Sequence, residues 1–275
     1  MKKFLYVSIL LFLSACLGIW DKKDTPIISS EQPVINAENK ASTKWKQNFA
    51  IIPHFMLNAA KVDEFYQLLK STRYSDWSPE TIIVISPNHF NTKSKKPQTI
   101  CKKSEITFHN NTYTLSPFPE TDCSENIFYS FGNLITTQEH GIGEQLQRIH
   151  KYFPNANIIP LILPTHLQPD TQTNNFFSSE STLIIASIDF SHYQPESTAL
   201  TNDQNTIKLL TSQHWTRNEF RSLDVDCPAC LYLIDQLAQK ANLLPNIRRR
   251  DSSSTILWKD MQEENTSRVC IWYQL

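Results

Sequence analysis

Four side chains that are capable of metal binding or proton transfer follow three apolar segments of the chain. They are His54 after residues 49–53, His89 after residues 81–86, and Asp189 and His192 after residues 183–187. Imidazole binds transition metals and titrates near neutral pH, whereas a carboxylate can bind a metal, orient a histidine or act as a base. Because these residue types recur directly after apolar segments, the pattern predicts one shared site.

The apolar segments have the length and composition of buried strands, and helical patterns lie between and after them. We predict strands over residues 49–53, 81–86, 158–163 and 183–187, and helices over residues 59–70, 139–152 and 230–241, the second opened by a capping box from Thr136 to Glu139. This alternation predicts an α/β fold with a mostly parallel sheet. Residues 99–122 alternate and are turn-rich, which predicts an antiparallel excursion or a long loop. In a parallel sheet the carboxyl ends of the strands share one rim, where we expect the site.

Composition excludes several classes of function. The 275 residues carry a formal net charge of −1, so the chain has no general attraction to phosphate backbones, and we expect no nucleic-acid partner. Only 4 glycines are present, and neither a Walker loop nor a GxGxxG motif occurs, which excludes a glycine-loop nucleotide enzyme. The expected partner at the site is therefore a small-molecule substrate that the sequence does not name.

The N-terminus is typical of an exported lipoprotein. A positively charged start and a short apolar run end in Leu-Ser-Ala before Cys16, which resembles a bacterial lipobox. We expect residues 1–15 to be a signal peptide, Cys16 to carry lipid, residues 16–46 to form a flexible tether, and residues 47–275 to form the folded domain. The protein would then be lipid-anchored in the bacterial cell envelope, at the periplasmic side of the outer membrane if the host has two membranes.

The remaining five cysteines are an odd number for an oxidising compartment, so at least one thiol is unpaired. Cys101 and Cys123 bracket the antiparallel excursion, and we predict a structural disulfide between them. Cys227 and Cys230 form a CxxC pair at a helix start, which could supply a metal thiolate, a structural bridge or a redox pair. Cys270 could pair with Cys230 and leave Cys227 for metal.

Several of these motifs, in this order, resemble the Memo family, known in prokaryotes as AmmeMemoRadiSam system protein B. The resemblance spans residues 51–237 and is carried by Pro53-His54, Ser86-Pro87-Asn88-His89, the helix opening at residues 139–146, the segment at residues 187–193, and Cys227 before a helix.

The resemblance implies a fold similar to that of class III extradiol dioxygenases, an α/β/α sandwich with a metal pocket at the strand ends. The family's metal-site residues fall on His54, His89 and Cys227. Its further site residues fall on His140, Asp189 and His192, for which we expect proton transfer or orientation of a ligand. The implied cofactor is a transition metal ion, with iron or copper favoured over zinc.

Three classes of function follow from these patterns. The first is a membrane-tethered Memo-like protein with a metal site and redox or dioxygenase-like chemistry. The second is a thiol-disulfide oxidoreductase built on Cys227 and Cys230, whose activity would survive chelation. The third is a non-catalytic lipoprotein that binds a ligand or partner at the rim without metal.

Overall fold

The structure is a computed structural model. It describes residues 47–73, 78–90, 97–117, 129–130, 139–165, 181–212, 215–259 and 261–274. The chain divides into two units, Met1–Ala41 and Ser42–Leu275, and every described residue belongs to the second unit. The expected signal peptide, Cys16 and the whole of the expected tether lie outside the described residues.

A ten-stranded mixed sheet forms the centre of the described part. Its strands are β1 Gln47–Ile52, β2 Thr81–Pro87, β3 Gln98–Thr99, β4 Ser104–Phe108, β5 Asn111–Leu115, β6 Tyr129–Ser130, β7 Asn157–Leu163, β8 Thr182–Ser187, β9 Leu244–Ser252 and β10 Ser267–Gln274. The main strand order is β4-β5-β7-β2-β8-β1-β10-β9, and β3 pairs with β6 and β7. The predicted strands are confirmed as β1, β2, β7 and β8.

These four strands form the parallel centre of the sheet, while antiparallel pairs flank it. Strands β7, β2, β8 and β1 pair in parallel, whereas β10 runs antiparallel to β1 and to β9. The predicted antiparallel excursion is confirmed as the β4–β5 hairpin. The sheet is mostly parallel at its centre, as predicted, but mixed overall, because the C-terminal strands add antiparallel pairs beyond β1.

Helices cover both faces of the sheet. Those longer than one or two turns are α1 Ala60–Arg73, α2 His140–Tyr152, α3 Glu196–Ser212 and α5 Pro228–Lys240; α4 Arg217–Arg221 and α6 Ser253–Leu257 are short. Alternate residues of β1 enter different apolar clusters, Phe49 and Ile51 on the face covered by α3 and α5, and Ala50 and Ile52 on the face covered by α1 and α2. The fold is therefore a three-layer α/β/α sandwich, as predicted. None of the helices in the described ranges is both long enough and apolar enough to cross a membrane.

The strand order places the candidate residues at one rim. Strands β2, β8 and β1 are parallel neighbours, so their carboxyl ends lie side by side. His89, Asp189 and His54 each lie two residues beyond the end of their strand. The loops that follow these three strands therefore bring His54, His89 and Asp189 to the same rim of the sheet.

Candidate metal centre

Three imidazole rings meet at this rim. The ring centroids of His54 and His89 are 5.1 Å apart, those of His54 and His140 are 5.0 Å apart, and those of His89 and His140 are 4.1 Å apart. One ligand atom from each ring lies within 4.8 Å of the others, which allows the group to hold a metal ion. His140, which we predicted as a residue for proton transfer, therefore lies among the candidate ligands.

The His54 ring is oriented by the end of β8. Nδ1 lies 3.3 Å from the carbonyl oxygen of Ser187, and a carbonyl can only accept, so Nδ1 carries a proton and Nε2 faces the carboxylates of Asp189 and Asp226. Gln145 of α2 fixes both strand ends, because its Nε2 donates to the carbonyl of Pro53 and to Oγ of Ser187, each at 3.0 Å. Burial opposes a charge on the ring, but Asp189 and Asp226 outweigh it and raise the pKa of His54 to about 10. The site thus favours positive charge at this ring.

The His89 ring is oriented by Glu139. Nδ1 lies 2.6 Å from Oε1 of Glu139, and the backbone N–H of His89 donates to Oε2 at 3.1 Å. Burial alone would raise the pKa of the fully buried Glu139, but the hydrogen bonds and charge of His89 lower it. A carboxylate that holds Nδ1–H leaves Nε2 free to bind a metal.

Glu139 also begins α2, which differs from the predicted capping box. The N-cap is Glu139 itself, whose side chain accepts the backbone N–H of Gly141 at 3.2 Å, while Thr136 lies outside the described residues. Gly141 permits a close approach, because a Cβ there would lie 2.1 Å from Oγ of Ser86 at the end of β2. The helix can therefore start against the strand end that delivers His89.

His140 follows Glu139 and stacks on His89 with an angle of 29° between the rings. Burial, reinforced by the charges of His89 and His54, lowers the pKa of His140 to about 4. The ring is therefore neutral near pH 7, which is the form that binds metals.

Asp189 binds the loop after β1, and His192 lies beyond it. Oδ1 of Asp189 accepts the backbone N–H groups of His54 at 3.0 Å and of Phe55 at 3.1 Å. Oδ2 lies 3.3 Å from Nε2 of His54 and 3.9 Å from Nε2 of His192. Burial raises the pKa of Asp189, although the charge of His54 opposes the rise. His192 is partly exposed and belongs to neither candidate ligand group among the described residues.

Asp226 was not predicted from the sequence. Its Oδ2 lies 3.1 Å from Nε2 of His54 and 3.9 Å from Nε2 of His89, and the side chain is nine-tenths buried. Together with His54 and Asp189 it forms a second candidate ligand group. The signal that could have found it is its position directly before Cys227, the expected ligand.

Cys227, a predicted metal ligand, is part of a disulfide in the structure, which was one of the alternatives for its CxxC motif. It forms a disulfide with Cys230, and Cys270 is a buried free cysteine. A half-cystine has no thiolate to donate, so in this state Cys227 is not a thiolate ligand, and the suggested pairing of Cys270 with Cys230 is wrong. Cys101 is disulfide-bonded, while Cys123 lies outside the described residues, so the predicted pairing of these two remains a prediction.

A buried ion pair fixes the loop that carries His54. Arg268 of β10 contacts Asp251 with two nitrogens, at 2.6 and 2.8 Å. A third nitrogen donates to the carbonyls of Phe55 at 3.1 Å and of Leu57. A neighbouring network holds the loop of Asp189 and His192, because Asp203 accepts the hydroxyl of Ser191 at 2.9 Å.

The residues present fit a metal ion. Two imidazoles have Nδ1 held by an acceptor, and both oxygens of the buried Asp226 carboxylate lack a hydrogen-bond donor within the described part of the chain. The charge of His54 balances this carboxylate, and a metal ion bound in place of the Nε2 proton would balance it in the same way. The donors are nitrogen and oxygen atoms, which suit divalent first-row transition metals.

The fold and the site together define a three-layer α/β/α protein with a cluster of histidines at the carboxyl ends of its parallel strands. The sequence profile of the family described as Memo-like protein matches residues 27–223, and the chain belongs to this family. Among solved structures, it is similar to the uncharacterized protein JW3007 from Escherichia coli K12, with 13% sequence identity and a TM-score of 0.52. The similarity covers 82% of this chain and 99% of that chain. At this low identity, it shows a shared fold and nothing further. No curated protein matches the chain.

Proposed function

We propose that this protein holds a transition metal ion through the imidazoles of His54, His89 and His140, and uses it in redox or dioxygenase-like chemistry on a small molecule. The observation that carries the proposal is the orientation of His54 and His89 by Ser187 and Glu139. Because Ser187 and Glu139 hold the Nδ1 atoms, the Nε2 atoms of both rings are left to bind a metal. One ligand atom from each of the three rings lies within 4.8 Å of the others.

Three protein ligands leave coordination positions open, which is the property of a catalytic rather than a structural metal site. A bound metal would supply Lewis acidity or one-electron chemistry to a substrate at the open positions. Asp189 orients the loop of His54 through two backbone N–H groups, and the partly exposed His192 can exchange a proton at Nε2 near the pocket.

The metal content of the full chain tests this proposal. The protein is purified without chelator and without thiol reductant, reconstituted with Fe(II), Cu(II) or Zn(II) under oxygen-free conditions, and analysed for metal after dialysis. We expect about one equivalent of metal in the wild type and little in a His54→Ala, His89→Ala double variant. The matched control is a His109→Ala, His150→Ala double variant, which removes two exposed histidines outside the candidate site. Wild-type protein without metal would refute the proposal and favour the non-catalytic binding protein.

The Cys227–Cys230 disulfide is the observation that favours the rival dithiol function. Both residues are fully buried, however, and thiol-disulfide exchange requires a thiolate to reach a sulfur atom. Dithiol-exchange activity that survives chelation and is lost in Cys227→Ser would favour the rival instead.

We further propose that the protein is exported and anchored by lipid on Cys16 in the bacterial cell envelope. The support is the sequence pattern before Cys16. In a bacterial host, labelled palmitate should enter the wild type but not Cys16→Ser, and the wild type should fractionate with membranes. Equal labelling of both proteins would refute the anchor.

A further inference from the structure

Asp226 is a buried carboxylate without a hydrogen-bond donor. Its side chain is 10% exposed, and within the described ranges no group donates a well-aligned hydrogen bond to either oxygen, so its polar contacts there are ion-pair contacts with imidazole rings. Oδ2 is nevertheless close to two of the candidate ligand rings, at 3.1 Å from Nε2 of His54 and 3.9 Å from Nε2 of His89. The carboxylate therefore lies beside the candidate ligand rings, and its charge is balanced there by imidazole alone.

Asp189, the other carboxylate of the pocket, is already engaged. Its Oδ1 accepts two backbone N–H groups from the loop after β1. The backbone N–H of Asp226 donates to the carbonyl of Asp189 at 3.1 Å, which ties the two loops together. Asp189 therefore holds the loops of the site in place through Oδ1, whereas both oxygens of Asp226 lack a hydrogen-bond donor within the described ranges and are the better placed to bind a cation.

Cys227, the residue after Asp226, has no free thiol that could bind a metal. Sγ of Cys227 is bonded to Sγ of Cys230 and also accepts the backbone N–H of Cys230 at 3.1 Å, at the start of α5. In this state the segment offers no thiolate. The anionic donor that this segment presents to the pocket is the carboxylate one residue earlier.

We infer that Asp226 is the anionic ligand of the metal when Cys227 and Cys230 form their disulfide, which makes the site an imidazole–carboxylate site. This inference rests on the proposed function. Imidazoles with one carboxylate and open positions suit Fe(II), whereas a thiolate would favour softer ions such as Cu(I). The disulfide state therefore assigns the site to a divalent cation of the Fe(II) class.

Fe(II) affinity of the full chain tests the inference, measured by titration calorimetry without oxygen or thiol reductant. Asp226→Asn removes the charge at nearly constant volume, and we expect Fe(II) binding to weaken at least tenfold. Asp224→Asn, two residues earlier in the same loop, is the matched control. A Cys227→Ser, Cys230→Ser double variant, which has neither disulfide nor thiolate, should bind Fe(II) within about threefold of wild type.

Unchanged affinity in Asp226→Asn, or loss of binding in the double cysteine variant, would overturn the inference while leaving a metal-binding wild type. Wild type that binds no metal would instead overturn the proposed function itself.

X-ray absorption of the Zn(II)-loaded wild type in its disulfide form keeps the test independent of any variant's folding. Sulfur ligands lie at about 2.3 Å from zinc and nitrogen or oxygen ligands at about 2.0–2.2 Å. We expect ligands only at the nitrogen or oxygen distance. A sulfur ligand at about 2.3 Å would overturn the inference.

Discussion

Oε1 of Glu139 lies 2.6 Å from Nδ1 of His89, and Glu139 is fully buried where α2 begins against the end of β2. One side chain thus caps a helix and sets the tautomer of a candidate ligand. The first turn of the helix and the candidate metal site are therefore held by the same side chain.

Glu139→Gln should weaken metal binding by 10- to 100-fold, because an amide orients the His89 ring less strongly and does not raise its basicity. Calorimetric titration of Fe(II) or Zn(II) into the full chain measures the loss. Glu144→Gln on the same helix, which contacts His109 rather than the candidate ligands, should bind as wild type does. Equal affinities for all three proteins would contradict the orienting role of Glu139.

Gly141→Ala should lower the free energy of unfolding by about 1–3 kcal/mol, despite the better helix propensity of alanine. The added Cβ would lie 2.1 Å from Oγ of Ser86 and 3.2 Å from its Cβ. In a double-mutant cycle, Ser86→Ala should recover part of the loss, because it removes the closer atom. Urea denaturation measures the four proteins, and additive effects would exclude this contact as the cause.

Arg268→Met should lower the free energy of unfolding by about 3–5 kcal/mol, because it removes the buried partner of Asp251 and releases the carbonyls of Phe55 and Leu57. Arg249→Met is the matched control on the same carboxylate. Arg249 donates to Asp251 at 2.7 Å but is about one-third exposed, so its loss should cost at most about 1 kcal/mol. Similar losses for both variants would refute the special role of Arg268.

Asp235→Asn should remove a pH dependence of stability. Burial raises the pKa of Asp235 to about 6, although the hydroxyl of Tyr273 donates to its Oδ1 at 2.9 Å and opposes the rise. Since the folded state then binds more protons than the unfolded state, stability is highest below about pH 4 and falls as the pH rises to about 6.

The difference in unfolding free energy between wild type and Asp235→Asn isolates this group. Between pH 4 and pH 7 the wild type should lose about 2 kcal/mol relative to the variant. Denaturation curves at several pH values measure the difference, and a pH-independent difference would show that Asp235 has an ordinary pKa.

The sequence was sufficient to predict the parallel centre of the sheet and three side chains at its rim. The buried strands β1, β2 and β8 are continuous apolar segments, and that pattern is local. His54, His89 and Asp189 follow them directly, and parallel neighbours share one rim whatever the rest of the chain does. The antiparallel addition β9 was not predicted because the arginines of residues 248–250 interrupt its apolar pattern, and β10 was not predicted although residues 269–273 form a continuous apolar run.

Only the tertiary structure decided which groups complete the site. Glu139 precedes a helix and Asp226 precedes a cysteine, and in the sequence either could be a solvated surface charge. Their burial against His89 and His54 depends on contacts across 50 and 172 positions of the chain, which no local pattern encodes. The state of Cys227 was equally undetermined, because pairing of cysteines depends on the distance between their Cα atoms, here 5.2 Å, and not on their spacing alone. Local apolar patterns therefore determined the strands and the rim, whereas long-range packing decided the ligands.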